Sequence, residues 1–278
     1  MEERSYDIVV IGTGAGSNIV DRALQAGLSV AWIGRGPLGG TCPNVGCIPS
    51  KMIIHPADRI QEIREASRLG VDATVEGVDF PGIMRRMRER IERRQREIRE
   101  GIEEAHGLDY YETETRFVGE RTLDVDGRRV RGDKVFVVAG ARPMVPPIDG
   151  IEGAGFMTNE GVLELDDVPG SVVVIGGGYI GTEYAHFLAA MGAEVTVLQR
   201  GERLVPAEEP EVSELLKKRL GERIDVRTGA DVKAVRSESG GRVVTATGAS
   251  DEALEFRADA VLLAAGRRSN ADLLDVEK

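Results

Sequence analysis

From Tyr6 to Ile11 the chain is apolar apart from Asp7, and the turn Gly12-Thr13-Gly14-Ala15-Gly16-Ser17 follows at once. Ile19, Ala23, Leu24 and Ala26 then recur at helical spacing up to Gly27, and Leu28-Ser29-Val30-Ala31-Trp32-Ile33 is apolar again. A short apolar run bounded by turn residues predicts a buried strand, and apolar residues three and four apart predict one helix face. The stretch therefore predicts strand, helix, strand. The same order returns at Ser171-Val172-Val173-Val174-Ile175, then Gly176-Gly177-Gly178-Tyr179-Ile180-Gly181, a helix up to Gly192, and Glu194-Val195-Thr196-Val197-Leu198. Between the two copies, Phe117 to Val138 predicts short strands with Asp126-Gly127 as a hairpin turn, and Arg142-Pro143 to Pro146-Pro147 a linker. Ile83, Met87, Ile91, Ile98 and Ile102 mark a further helix, whose arginines are partly neutralised by Glu89, Glu92, Glu97 and Glu100 and predict a solvated face. The expected fold class is α/β, with two Rossmann-like dinucleotide-binding domains, the second inserted in the first. The boundaries expected are 1–148, with 266–278 returning to it, and 149–265.

Composition narrows the partners. The 278 residues suffice for about two domains at ~100–200 residues each. With 47 acidic against 36 basic residues and a net charge of -11, the chain is a poor match to a phosphate backbone, so no nucleic-acid partner is expected. No run approaches the ~18 apolar residues of a spanning helix, and Met1-Glu2-Glu3-Arg4 lacks the layout of a signal peptide. A cytoplasmic protein without a membrane partner is expected.

The chemistry concentrates at the two glycine turns and at a cysteine pair. Gly176, Gly178 and Gly181 keep the full G-x-G-x-x-G spacing, which places backbone amides at a helix N-terminus to cradle a pyrophosphate. The first copy keeps Gly12 and Gly14 but has Ser17 in the third place, and Gly34 stands where an acidic residue would take the ribose hydroxyls. Behind the second turn, the acidic position is held by Gln199, followed by Arg200 and Arg203, a pattern that favours NADPH while leaving NADH possible. Cys42 and Cys47 would be roughly 17 Å apart in an extended chain, against the ~7 Å a disulfide needs, so a pair requires the segment to turn or coil, as at a helix start. Two unrelated buried thiols and a redox-active pair both fit that spacing. A helix N-terminus can stabilise a thiolate, and Lys51, the only lysine in the first 133 residues, can add positive charge.

The segment Gly39-Gly40-Thr41-Cys42-Pro43-Asn44-Val45-Gly46-Cys47-Ile48-Pro49-Ser50-Lys51 resembles the redox-active element of the flavin-dependent pyridine nucleotide–disulfide oxidoreductases. The resemblance runs from Tyr6 to the C-terminus. Gly12-Thr13-Gly14 through Asn18-Ile19, and Arg267 through Asn270 with Asp272-Leu273-Leu274-Asp275, look most like the mycothione reductases of that family. Dihydrolipoamide dehydrogenases and mercuric reductases are the alternatives within it. From another class stands a truncated, non-catalytic nucleotide-binding or redox-sensing fragment.

The resemblance implies FAD in the first domain, held at Gly12, Gly14, Gly16 and Ser17 with Gly40, Thr41, Lys51 and Gly140. It implies NADP, with NAD possible, in the second, at Gly176, Gly178, Tyr179, Ile180, Gly181, Glu183 and Arg200, with Gly266 beside the nucleotides. Cys47 would be the thiol on the flavin side and Cys42 the outer thiol that attacks a small disulfide substrate; Lys51 would pair with Glu183, making these four the catalytic set. Tyr179 would cover the nicotinamide pocket. The family takes a His–Glu acid–base pair from a partner subunit's interface domain, and His55, His106 and His186 match no such position. That domain is expected to lie outside this chain, so a homodimer is expected of the longer form and a monomer of these 278 residues. No metal is expected.

Overall fold

The structure, a computed structural model, describes residues 3–238 and 240–278. Met1 and Glu2, which open the N-terminal segment and the first expected domain, lie outside the described residues, as does Ser239. In chain order the elements begin with β1 (Glu3–Ile11), α1 (Ser17–Gln25), β2 (Val30–Ile33), α2 (Thr41–Val45), α3 (Cys47–Glu65) and α4 (Phe80–Glu104). Then come β3 (Leu108–Tyr111), β4 (Thr115–Gly119), β5 (Thr122–Val125), β6 (Arg128–Val137), β7 (Ala141–Pro143), α5 (Ile151–Ala154), α6 (Asn159–Leu163), β8 (Ser171–Ile175) and α7 (Tyr179–Met191). The chain closes with β9 (Glu194–Gln199), α8 (Pro210–Gly221), β10 (Asp225–Thr228), β11 (Asp231–Glu238), β12 (Gly241–Thr247), β13 (Ala253–Ala258), β14 (Ala260–Leu263) and β15 (Arg267–Ser269). They divide into two compact units, Met1–Ile48 with Glu89–Arg142 and Arg267–Lys278, and Pro49–Arg88 with Pro143–Gly266.

The first unit is built on a sheet of order β3-β2-β1-β6-β5-β4, parallel through β3, β2, β1 and β6, with β4 and β5 added antiparallel. Both faces of its central strands are covered, which is why Tyr6–Ile11 reads as a nearly continuous apolar run. Val9 and Ile11 pack with Ala31, Ile33, Leu123 and Val130 on one face, while Ile8 and Val10 meet Val20 and Ala23 of α1 on the other. Asp126 and Gly127 both take positive φ, +54° and +77°, as the two-residue turn joining β5 to β6 demands. Leu274 returns to this core, and its carbonyl accepts from the Phe117 amide at 2.8 Å.

The second unit has a parallel sheet of order β10-β9-β8-β14 and an antiparallel sheet of order β11-β12-β13. Val173, Ile175, Leu198, Val235, Val244, Val261 and Leu263 share one core. The segment 49–88, expected within the first domain, groups with this unit. Its side chains account for that. Phe80 stacks on Phe187 with centroids 5.9 Å apart, Arg88 donates to the carbonyls of Leu163 and Leu165, and Asp58 reaches His186.

Candidate active site

In the first unit the turn after β1 is shaped by contacts that exclude side chains. Gly12 has φ +110°, and a Cβ there would stand 2.3 Å from the Val138 carbonyl oxygen. A Cβ on Gly16 would stand 2.6 Å from the Gly12 oxygen and 2.7 Å from methyls of Val10 and Val138. A close approach of helix and strand is thus made at Gly16, which precedes the first turn of α1, and Ser17, in the third place of the motif, opens the helix itself. The Gly14 carbonyl accepts from Ser17 N at 3.1 Å, a tight turn that brings Gly16 onto the strand.

The thiol segment sits on this turn. A Cβ on Gly40, φ +69°, would lie 2.6 Å from Gly14 Cα, so the two glycines let the N-terminus of α2 rest against the glycine turn. Asn44, buried, ties the segment down by donating to the carbonyls of Leu38 at 2.8 Å and Gly40 at 2.7 Å. Gly46 then closes the chain back: a Cβ on it would meet the Thr41 oxygen at 2.9 Å and Cys42 Cα at 3.2 Å. Cys42 in α2 and Cys47, first residue of α3, are thereby brought together as exposed thiols in hydrogen-bond contact. That contact is the leading cause that raises the Cys42 thiol above the ordinary cysteine value, followed by burial and by repulsion from Cys47; the amides of Cys47 and Ile48 pull the other way. Residues 47, 51 and 55 follow one another on one face of α3, all exposed.

Gly34 follows β2. A Cβ there would stand 2.6 Å from the Thr13 methyl, and the nearby charges Arg35 and Glu114 pair with each other. The residues of this turn fit a dinucleotide diphosphate at the glycines; at the ribose end they offer no carboxylate from position 34.

In the second unit Gly176, φ +112°, and Gly181 repeat the pattern, with Cβ positions 2.4 Å from the Ala264 oxygen and 1.9 Å from the Gly176 oxygen. Around Gly178, where α7 starts, the same position is open space, so the cradle is unfilled by protein. Gln199 is committed to the turn, its Oε1 accepting the Gly177 amide at 2.8 Å. Arg200 and Arg203, both exposed, have no hydrogen-bond or ion-pair partner among the described residues. These residues fit an anionic dinucleotide. Lys51 donates to Glu183, and Ile180 lies beside Tyr179 in the first turn of α7. Tyr179, half-exposed, donates its hydroxyl to Glu208.

Gly140 takes φ +68° in the first unit, and its carbonyl accepts from Asn270 N at 3.0 Å. Gly266, at the end of the second unit, has φ +129° and accepts from Met144 N at 3.0 Å. The Asn270 region docks as a cluster: Asn270 Nδ2 donates to the Ala139 carbonyl at 2.8 Å, and Arg142 grips Asp272 through two bonds of 2.9 Å. His106 is exposed. His186 is enclosed between Asp58 at 2.9 Å and Arg223 at 2.7 Å. Sequence reasoning missed Gly46, Glu208 and the Arg142–Asp272 grip. Only Gly46 carried a signal, a glycine immediately before a cysteine that must fold back.

The family model described as pyridine nucleotide-disulphide oxidoreductase matches residues 6–278. A mycothione reductase of Mycobacterium tuberculosis is 34% identical over 280 residues, covering 99% of this chain and 60% of the relative. A mercuric reductase of Lysinibacillus sphaericus is 33% identical over 281 residues, covering 99% of this chain and 51% of the relative. Among solved structures, a Cu(II) complex of the HOCl-induced flavoprotein disulfide reductase RclA from Escherichia coli superposes with a TM-score of 0.85 at 28% identity, covering 99% of this chain and 59% of that one. The chain thus spans between half and three-fifths of the length of these proteins. Among the described residues no helix is long and apolar enough to cross a membrane.

Proposed function

This chain belongs to the pyridine nucleotide–disulphide oxidoreductase family, and from that premise we propose that it carries the path by which a nicotinamide nucleotide reduces a small disulfide through FAD and the Cys42–Cys47 pair. The carrying observation is the Gly14–Gly40 approach, which seats two contacting thiols on the first glycine turn. FAD, when bound, supplies the two-electron exchange between a nicotinamide hydride and a disulfide. Gly12, Gly14, Gly16 and Ser17 would hold its diphosphate, with Gly40, Thr41 and Gly140 alongside; in the second unit Glu183 keeps the Lys51 ammonium in place.

Gly176, Gly178, Tyr179, Ile180 and Gly181 would hold the nicotinamide nucleotide, with Gly266 at the rim. Arg200 and Arg203, free of protein carboxylates among the described residues, favour NADPH over NADH, since a 2′-phosphate gains charge-assisted bonds worth roughly 1.5–3 kcal/mol each. At the thiols, Cys42 Sγ attacks one sulfur of the substrate disulfide, forming a mixed disulfide and releasing the other sulfur as a thiol on taking up a proton. Cys47 Sγ then attacks Cys42 Sγ, closing the internal disulfide and releasing the second thiol. The two electrons of the nucleotide's hydride, with the hydride's hydrogen released as a proton and one further proton from solvent, would reopen the pair to two thiols.

The substrate class follows the mycothione reductase pattern, and the active form would be a cytoplasmic homodimer. The test is an absorption spectrum of the chain with FAD supplied, followed by NADPH and NADH oxidation with an artificial electron acceptor. Saturable flavin uptake with a higher kcat/KM for NADPH supports the proposal. Absence of flavin uptake, or a higher kcat/KM for NADH, overturns the corresponding part.

A further inference from the structure

In an open α/β nucleotide fold the adenosine ribose lies at the end of the second strand, where a carboxylate takes its hydroxyls. In the first unit that strand is β2, and Gly12 N donates to the Ile33 carbonyl at 2.7 Å, so the glycine turn and the end of β2 are joined. The next residue is Gly34. A Cβ there would stand 2.6 Å from the γ-methyl of Thr13, which is buried and donates its hydroxyl to the Pro37 carbonyl at 3.3 Å. Position 34 is thus closed to the side chain that would carry the carboxylate.

A carboxylate approaches the same place from the neighbouring strand. Gly34 N donates to the Tyr111 carbonyl at 3.0 Å, which sets the end of β3 level with the end of β2. Only residues 112–114 then separate β3 from β4, and Thr115 fixes the start of β4 by donating its hydroxyl to the Asp124 carbonyl at 2.8 Å. Two acids lie in that short span. Glu112 is taken by Arg99 of α4, at 3.2 and 3.3 Å. Glu114 is instead drawn toward Gly34, because one of its oxygens accepts from Arg35, the residue after Gly34. Its other oxygen has no partner among the described residues, and its side chain is 73% exposed. An arginine beside a missing ribose acid is an arrangement that suits a 2′-phosphate. FAD carries none. With Glu114 on its guanidinium, Arg35 is neutralised, and the pair presents an acceptor to an unphosphorylated diol.

We propose that Glu114, held by Arg35, is the carboxylate that takes the adenosine ribose hydroxyls in the first nucleotide site and turns away a 2′-phosphate, in place of the acid that position 34 cannot carry. Arg35 is the positioning residue. The inference rests on the reading of this turn as the FAD site. A hydrogen bond to a charged group changes affinity about tenfold or more, and exposure keeps Glu114 at the lower end of that range.

The experiment is titration of the chain by the change in flavin fluorescence, with FAD and with the FAD analogue whose adenosine lacks the 2′-hydroxyl, for the wild type, Glu114→Gln, Arg35→Ala and the double variant. The wild type is expected to bind the analogue about 5- to 20-fold more weakly than FAD, and Glu114→Gln to lose a similar factor for FAD while holding the two flavins within about 3-fold of each other. Arg35→Ala is expected to weaken FAD by less, and the double variant to bind it no more weakly than Glu114→Gln alone. Adenosine 2′,5′-bisphosphate is the second probe. As a competitor against FAD it is expected to bind Glu114→Gln at least about fivefold more tightly than the wild type, a gain that the double variant loses with Arg35. A wild type that binds both flavins alike, a Glu114→Gln variant that still discriminates between them, or an unchanged competitor affinity overturns the proposal. The two readings separate cleanly. If the wild type takes up FAD and Glu114→Gln binds it equally well, the flavin site stands and the role of Glu114 falls; if the wild type takes up no FAD, both fall.

Discussion

Lys51 of α3 donates to the carboxylate of Glu183 of α7, linking residues 132 positions apart in the chain. The pair is open to solvent, with side chains 60% and 35% exposed, so its contribution to stability belongs to the 0–1 kcal/mol range of surface ion pairs. Its value is placement. Lys51→Met is expected to leave the denaturation midpoint nearly unchanged, yet to lower acceptor reduction by FAD-supplied chain at least tenfold. A variant that loses stability and activity together would reduce Lys51 to a structural residue.

The two thiols are expected to differ in reactivity. Cys42 is raised chiefly by its bond to Cys47, so Cys47→Ala should move the pH profile of Cys42 alkylation to lower pH, with the amides of residues 47 and 48 then unopposed by sulfur. Rates of iodoacetamide labelling between pH 6 and 10, followed by mass spectrometry, check this. A profile that stays in place or moves upward contradicts the geometry.

His186 makes stability depend on pH. Burial is the first cause that lowers it below the ordinary histidine value, repulsion from Arg223 the second, and Asp58 pulls partly back. Because the folded state holds the neutral ring, the unfolded chain binds the proton more readily. Stability is then fully present above the ordinary value near 6.5 and falls as pH drops through it, with a slope of at most about 1.4 kcal/mol per pH unit. Urea midpoints at pH 5, 6, 7 and 8 should fall on the acid side in the wild type. His186→Gln should flatten that slope, and a slope that survives the substitution assigns it to other groups.

Much of this architecture was readable from local pattern. Both β-α-β copies are visible because Val9, Val10, Val173 and Val174 sit in strands buried on both faces, which leaves apolar runs with no alternation. The hairpin at Asp126-Gly127 is visible because only its residue types tolerate two positive φ values. What was not legible depends on distant partners. Whether 49–88 packs with the first or second unit is decided by Phe80 on Phe187 and by Asp58 on His186, contacts between segments with no shared pattern. The φ of Val205 follows from the Gly177 carbonyl and from Leu204, and nothing in the residue type announces it.

The close approach at Gly16 gives the sharpest mutational contrast with its neighbour Ser17. Gly16 has an ordinary helical φ of -60°, so any penalty for a side chain there is steric alone. A methyl would meet the Gly12 oxygen and the methyls of Val10 and Val138 within 2.7 Å, and the Val138 backbone cannot retreat because its amide donates to Ile11 O at 2.9 Å. Gly16→Ala should therefore destabilise the chain by about 1–3 kcal/mol, the range of overpacked sites. Ser17 is half-buried, opens α1 and caps nothing with its side chain, so Ser17→Ala should change stability by no more than ~0.5 kcal/mol. Guanidinium unfolding of the two variants beside the wild type decides between the positions. Equal effects, or a larger one at residue 17, would return the third-glycine role to Ser17.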